Sequence, residues 1–409
     1  MEKYALEIDE NIKWLSSFGK DPKGGITRLL YTDSWLEAQK ELKDKFESLG
    51  MEARFDEVGN LFARVEGTEY PEETIATGSH VDTVANGGKL DGQLGIIGGM
   101  LAIKNLVEKH GKPKRSLEVI SMAEEEGSRF PFVFWGSKNI FGMIKDNDAM
   151  NQIKDNDGKS FVEEMRRCGF DFKKDNKPRE DIKAFIEMHI EQGNFLEMEN
   201  LQVGVITSIA GQRRYEISLK GESNHAGTTL MKYRKDTIQA FARIVTESIE
   251  KATKMGDPLV LTFGHVEAKP NTVNVVPGET LFSIDCRHTD NKVLAEFTEG
   301  IEEDMKRIAK EMNIEIEINR WMDARPIPMD DKIISVIEKS CIDNKLNYKL
   351  MHSGAGHDAQ IFGPRLPTGM IFVPSIGGIS HNPAEDTKTE DLVQGVIALE
   401  AALYELAYK

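Results

Sequence analysis

Cysteine is scarce: Cys168, Cys286 and Cys341 are the only three in 409 residues. They stand far apart with no CxxC spacing, which excludes a disulfide framework and a thiolate metal site. Long apolar runs are missing too, and nothing approaches the roughly 18 to 20 consecutive apolar residues of a membrane span. The opening MEKYALEIDENIKW carries charges throughout, in place of the apolar stretch of a signal peptide. Positive charge is in deficit, with 52 Lys and Arg against 68 Asp and Glu and a formal net charge of −16. No basic block interrupts this background, so a polyanion would be repelled and nucleic-acid binding is not expected. Internal repeats and low-complexity segments are absent. What remains is a globular balance, 40% hydrophobic and 29% charged residues, in a chain long enough for two domains. A cytoplasmic location is expected.

Short apolar runs at Ile75 to Ser79, Leu117 to Met122, Ala184 to Met188 and Met370 to Val373 read as buried parallel strands. After the first, Leu94, Ile97, Met100, Leu101 and Val107 recur at helical spacing. Strands alternating with helices predict an α/β fold with a mainly parallel sheet flanked by helices. Ligands of such sheets gather beyond the carboxyl ends of the strands. The middle of the chain has another rhythm. Tyr215, Ile217 and Leu219 alternate with polar residues, and Ile238, Phe241, Ile244, Val245 and Ile249 form a helical stripe. Strand-like segments follow at Leu259 to Val266 and Thr280 to Cys286, with a turn near Pro277–Gly278. A second helical stripe (Val293, Phe297, Ile301, Met305, Ile308) and the alternation of Ile314, Ile316 and Ile318 complete a β-α-β-β-α-β order, the ferredoxin-like pattern. This predicts an inserted domain over residues 210–325, with 1–209 and 326–409 as a discontinuous main domain. Ala210–Gly211 and Ala324 to Pro328 are the expected hinges.

Four clusters of ligand-type residues fall where predicted strands end: His80-Val81-Asp82 with Asp91-Gly92 beyond, Glu124-Glu125-Glu126, His189-Ile190-Glu191, and Ser380-His381-Asn382. Each has a plainer reading. A lone histidine after a strand is usually a hydrogen-bonded structural residue, an acidic triplet a solvated surface, and Asp-Gly a turn. Their convergence on one rim of one sheet points instead to a metal site. Imidazole and carboxylate donors without thiolate suit zinc, manganese, cobalt or nickel.

The motifs HVDTV with DG beyond, EEEGSRF, HIEQG, NHAGTT with RKD, NTVNVVPG, DCRH, GAGHDA and SHNPAE follow one another along nearly the whole chain. In this order the sequence resembles the allantoate amidohydrolase and N-carbamoyl-L-amino-acid hydrolase family, within the superfamily of binuclear-metal aminoacylases and related exopeptidases. The resemblance implies two divalent ions per subunit, manganese foremost, with zinc, cobalt or nickel as alternatives. It implies that Asp91 bridges both ions, that His80 and His189 bind one, and that Glu126 and His381 bind the other. Asp82 would steady the His80 ring by a hydrogen bond. Glu125 would be the general base, taking a proton from water and handing it to the departing nitrogen.

The resemblance also implies a homodimer formed through the inserted domain. His225 would then reach the partner's substrate and steady its oxyanion; the plainer reading is a buried histidine supporting the following turn. Arg287 is the expected grip for a substrate carboxylate, by paired hydrogen bonds, or else a salt bridge within the insert. Gln212 and Asn274 would read the remaining polar edges, and Gly356 would offer its backbone, while His357 and Asp358 could be purely structural. If insert residues complete a site built on the main domain, closure about the hinges is expected.

Phe134-Trp135-Gly136-Ser137, LDGQLG and GGITRLLYTDSWLEAQ resemble the allantoate branch. The implied reaction is hydrolysis of the ureido C–N bond of allantoate to ureidoglycine, ammonia and carbon dioxide in purine degradation. N-carbamoyl-L-amino acids and 3-ureidopropionate are the alternative substrates. Rival readings are a non-catalytic relative, which should lack a ligand or Glu125, and an exopeptidase on the same scaffold. One departure from the family is Leu230, where relatives often carry proline.

Overall fold

The structure is a computed structural model that describes residues 2–144 and 147–409. It divides into two compact units, residues 1–207 with 329–409, and Ser208–Pro328. In chain order the first unit contributes β1 (Glu52–Phe55), β2 (Leu61–Val65), β3 (Tyr70–His80), β4 (Arg115–Met122), β5 (Ile182–Ile190) and most of β6 (Val203–Ile209). The second holds β7 (Gly211–Lys220), β8 (Asn224–His225), β9 (Val260–Thr262), β10 (Val266–Lys269), β11 (Val275–Val276), β12 (Glu279–His288), β13 (Glu315–Ala324) and β14 (Ile327–Pro328). The chain then returns to the first unit for β15 (Tyr348–Ser353) and β16 (Thr368–Val373).

The four apolar runs lie in four neighbouring strands. β4, β3, β5 and β16 are adjacent and mutually parallel, and form the centre of the main sheet. Their near-continuous burial, seven residues in a row at the end of β3 and all six in β16, is what a sheet covered on both faces demands. The flanks are antiparallel: β1 and β2 form a hairpin laid against β4, and β6 runs against β16. Helices Gln93–His110 and Thr389–Tyr408 pack on each other and on this sheet, with Glu2–Leu15 against both.

The second unit has a core of its own, with Ile217, Leu219, Ile244, Phe282, Phe297 and Ile301 at its centre. Its sheet runs β10-β12-β7-β13, all pairs antiparallel, with helices Thr237–Met255 and Asn291–Glu311 in the connections. The strand expected over Leu259 to Val266 is in fact two, β9 and β10, each paired to a different stretch of β12. The break is anchored by Ser283, whose Oγ accepts the His265 N–H at 3.0 Å. A separate ribbon pairs β8 with β11 and carries His225 opposite Val275. Leu230 has φ −62°, the value a proline ring would impose, so its replacement leaves the backbone path open. Among the described residues no helix is long and apolar enough to cross a membrane.

Arg28 fixes the N-terminal segment to the end of β3. It is fully buried, and its guanidinium donates to Val81 O (2.6 Å), Leu15 O (2.8 Å) and Gln93 Oε1 (2.8 Å). Burial pulls its pKa down to about 10 against the opposing charge of Asp82, so it stays protonated at neutral pH. Arg28→Met strands these acceptors and is expected to cost the first unit about 3 kcal/mol. Differential scanning calorimetry checks this, and an unchanged first transition would show the network to be dispensable.

Candidate metal centre

Each candidate ligand sits at the carboxyl end of a central parallel strand or just beyond it. His80 ends β3, Glu124 to Glu126 follow β4, His189 is the penultimate residue of β5, and His381 follows β16. Parallel pairing therefore brings four distant segments to one rim. Asp91 joins them from the turn before helix Gln93–His110. That turn needs glycine at position 92, where φ is +66° and a Cβ would lie 2.4 Å from His80 Cε1.

Asp91 is the hub. Its Oδ1 lies 3.3 Å from His80 Nε2 and 3.3 Å from His189 Nε2, and its Oδ2 lies 3.4 Å from His381 Nε2. His381 Nε2 is also 3.5 Å from Glu126 Oε1. His80, Asp91 and His189 offer ligand atoms within 4.8 Å of one another; so do Asp91, Glu126 and His381, and so do His80, Glu125 and Glu126. Two donor triads thus share one carboxylate.

The tautomers favour coordination. His80 Nδ1 lies 3.0 Å from Asp82 O, and His189 Nδ1 lies 3.0 Å from Ile190 O. A carbonyl can only accept, so each Nδ1 carries hydrogen and each neutral ring turns an Nε2 lone pair toward Asp91. A lone pair facing a carboxylate oxygen repels it unless a positive centre lies between them, and that centre can be a proton or, as coordination, a metal cation. The donor set therefore fits divalent cations of the zinc or manganese kind.

The electrostatics agree. Burial lowers the His80 pKa, but Asp82 and Asp91 outweigh it and hold the imidazole well above its ordinary value. Asp91 ends well below the carboxylate range, because His189, His381 and His80 overcome its burial. Burial pushes Glu126 up to about 7, with the charge of Asp91 adding to the effect. The hydrogen bond to Asp91 lifts His381 to about 9. Around Asp91 the pocket favours positive charge, whereas His357, buried behind His189, is held well below its ordinary value by burial and by His189.

The acidic triplet is not a solvated surface. Glu124 is buried and accepts the N–H of Trp135 at 3.0 Å and that of Gly127, shaping the loop that follows. Glu125 is pushed well above its ordinary pKa by burial, and by Glu126, Asp358 and Asp82 against the pull of His80. Asp82 lies 3.3 Å from His80 Nδ1, and its carboxylate also accepts the N–H groups of Glu125 (3.0 Å) and Glu126 (3.3 Å). One side chain thus orients a histidine and the two glutamates.

Gln192 and Glu187 carry no role in the sequence analysis, although the first lies inside a motif and the second just before one. Gln192 of HIEQG donates through Nε2 to Asp91 Oδ2 at 2.8 Å from a left-handed backbone, φ +59°. Glu187, two residues before His189, accepts Ser79 Oγ–H (2.8 Å) and Ala359 N–H (2.7 Å), bracing β3, β5 and the GAGHDA loop. His357 is buried with its ring 4.6 Å from that of His189, Asp358 is buried, and Gly356 lies beside Phe134. Spacing alone marks none of these contacts.

Gln212, His225, Asn274 and Arg287 belong to the second unit. Arg287 pairs with Asp285 through Nε (2.8 Å) and a terminal nitrogen (3.0 Å), so the salt bridge within the insert is present. Gln212 Nε2 (2.7 Å) and Arg214 Nε (2.8 Å) donate to the same Asp285. Asp285 was not foreseen. His225 is exposed, not buried, although its Nδ1 does support the turn by accepting the Gly227 N–H at 3.0 Å. Asn274 is exposed on the adjoining ribbon, and its carbonyl accepts the Ala226 N–H.

Asp82→Asn is expected to preserve folding and lower kcat/KM about 10- to 100-fold, through misplacement of His80 and the two glutamates. Steady-state kinetics alongside a thermal melt check this; wild-type kinetics would show that the carboxylate charge is not required.

The peptidase family M20/M25/M40 matches residues 76–405. The chain is 58% identical over 403 residues to the allantoate amidohydrolase of Escherichia coli (strain K12), covering 98% of each chain. It is 46% identical over 415 residues to the allantoate amidohydrolase of Bacillus subtilis (strain 168), covering 100% of each. The crystal structure of a hydantoinase/carbamoylase family amidase from Burkholderia multivorans superposes with a TM-score of 0.94 at 31% identity, covering 99% of this chain and 98% of that one. The chain belongs to the peptidase family M20/M25/M40, in the amidohydrolase branch that contains these enzymes, and is a hydrolase of C–N bonds.

Proposed function

We propose that this chain hydrolyses the ureido C–N bond of allantoate in the cytoplasm, releasing ureidoglycine, ammonia and carbon dioxide in purine degradation. The observation that carries the reading is the pair of donor triads joined at Asp91, in a chain 58% identical to an allantoate amidohydrolase. His80, His189 and Asp91 Oδ1 would hold one divalent cation, and Glu126, His381 and Asp91 Oδ2 the other, with manganese the first choice. Such cations supply Lewis acidity for a carbonyl and acidify water, which a ureido group needs because both its nitrogens donate into the carbonyl.

Glu125 moves the proton. Its carboxylate lies with His80 and Glu126 in one cluster, and burial raises its basicity. It accepts the proton of the attacking water and returns it to the departing nitrogen. His225 acts from the inserted unit, in a homodimer formed through that unit. With Nδ1 occupied by Gly227 N–H, its Nε2 carries the hydrogen that can be donated to the developing oxyanion. Arg287, held by Asp285, binds the substrate carboxylate. Gln212 and Asn274 hydrogen-bond its ureido arms, and Gly356 adds a backbone contact. N-carbamoyl-L-amino acids and 3-ureidopropionate are the competing substrates, and the higher identity to allantoate enzymes, 58% and 46%, favours allantoate.

Ammonia release separates these readings. The manganese-loaded protein is expected to turn over allantoate with kcat/KM about 100-fold above that for 3-ureidopropionate or an N-carbamoyl-L-amino acid. A reversed preference refutes the substrate assignment, and activity that survives exhaustive chelation refutes the role of metal. Glu125→Gln should lower kcat by a factor of about 10² to 10⁴ while taking up as much manganese as the wild type. Full turnover in that variant would remove Glu125 from the mechanism.

A further inference from the structure

Glu385 closes the SHNPAE motif, and nothing in the mechanism above uses it. It is a carboxylate with only 1% of its surface exposed. Its Oε1 accepts two consecutive backbone N–H groups, Leu90 at 2.8 Å and Asp91 at 3.0 Å. Its Oε2 lies 3.0 Å from Ser380 Oγ, which in turn lies 2.8 Å from Asp91 Oδ2. The Glu385 N–H closes the intervening turn on Asn382 O at 3.0 Å. One side chain thus ties the loop that carries Asp91 to the loop that carries His381.

Both loops need tying. His381 has a left-handed backbone, φ +55°, unfavourable for a residue with a side chain, and its imidazole is 48% exposed. The rings of His80 and His189 each rest on a backbone carbonyl through Nδ1; no such brace holds the His381 ring among the described residues. The packing around Glu385 is close. A Cβ on Gly88 would lie 2.1 Å from Glu385 Cδ, so only glycine at 88 lets the carboxylate reach the Leu90 and Asp91 amides.

We propose that Glu385 is a positioning residue for the second of the two cations, the one assigned to Asp91 Oδ2, Glu126 and His381. By holding Asp91 and His381 in register it sets the affinity of that position, while the position at His80 and His189 depends on it little. This rests on the two-cation reading above, and the test keeps the two apart.

The metal-free full-length protein is titrated with Mn²⁺ alone, and free Mn²⁺ is followed by electron paramagnetic resonance, with thermal melts of every variant. Wild type is expected to bind two equivalents. Glu385→Ala should keep the first equivalent at wild-type affinity and weaken the second at least about tenfold. Gly88→Ala, which displaces the carboxylate without removing it, should reproduce this. Glu385→Gln, whose amide oxygen can still accept both backbone N–H groups, should return to within about threefold of wild type. Two equivalents bound by a folded Glu385→Ala or Gly88→Ala as tightly as by wild type would overturn the clamp alone, as would equal weakening of both. A wild type that takes up no second equivalent would overturn the two-cation reading, and the clamp with it.

Discussion

One buried carboxylate, Asp91, confronts three imidazoles at 3.3 to 3.4 Å, and the rest of the first unit is organised around holding that arrangement. Removing an ionised carboxylate from water is costly unless opposite charge or hydrogen bonds replace the solvent. Here Oδ1 faces two imidazole nitrogens, while Oδ2 faces a third and also receives Gln192 and Ser380. The two oxygens are thus differently occupied, and the two sides of the centre are chemically unequal before any cation is considered.

Around Asp91 stand Asp82, Glu124, Glu125, Glu126, Glu187 and Glu385, a density of negative charge that would force the loops apart if every group stood free. The structure sorts them by hydrogen bonding. Asp82, Glu124, Glu187 and Glu385 each accept backbone N–H groups and so serve as braces. Glu125 and Glu126 instead present their carboxylates to the cluster of imidazoles and Asp91, and burial raises their pKa values as it does those of Glu124, Glu187 and Glu385. Within the run Glu124-Glu125-Glu126, the first glutamate shapes the loop through backbone N–H groups, and the other two turn toward the clustered imidazoles and Asp91, where the proposed function uses them.

In the second unit, Asp285 gathers Gln212, Arg214 and Arg287 on adjacent strands β7 and β12. An arginine already paired with a carboxylate is held in a fixed orientation, so less side-chain entropy is lost when a second carboxylate arrives. The salt bridge within the insert therefore leaves the proposed substrate grip open to the same side chain.

Much of this was legible in the residues themselves. Buried parallel strands announce themselves as short apolar runs because both faces of such a sheet are covered, and all four runs lie in the central strands. The candidate donors stood out because ligand chemistry admits few side chains and the motifs keep them at strand ends, and the fold brings them together around Asp91. Hidden from the sequence were the antiparallel flanks, the split of one expected strand into β9 and β10, and above all the braces: Arg28, Gln192, Glu187, Asp285 and Glu385. A ligand is identified by what its atoms can bind, which residue type decides. A brace is identified by which distant backbone amide or carbonyl its atoms meet, and that pairing exists only once the strands have been set side by side.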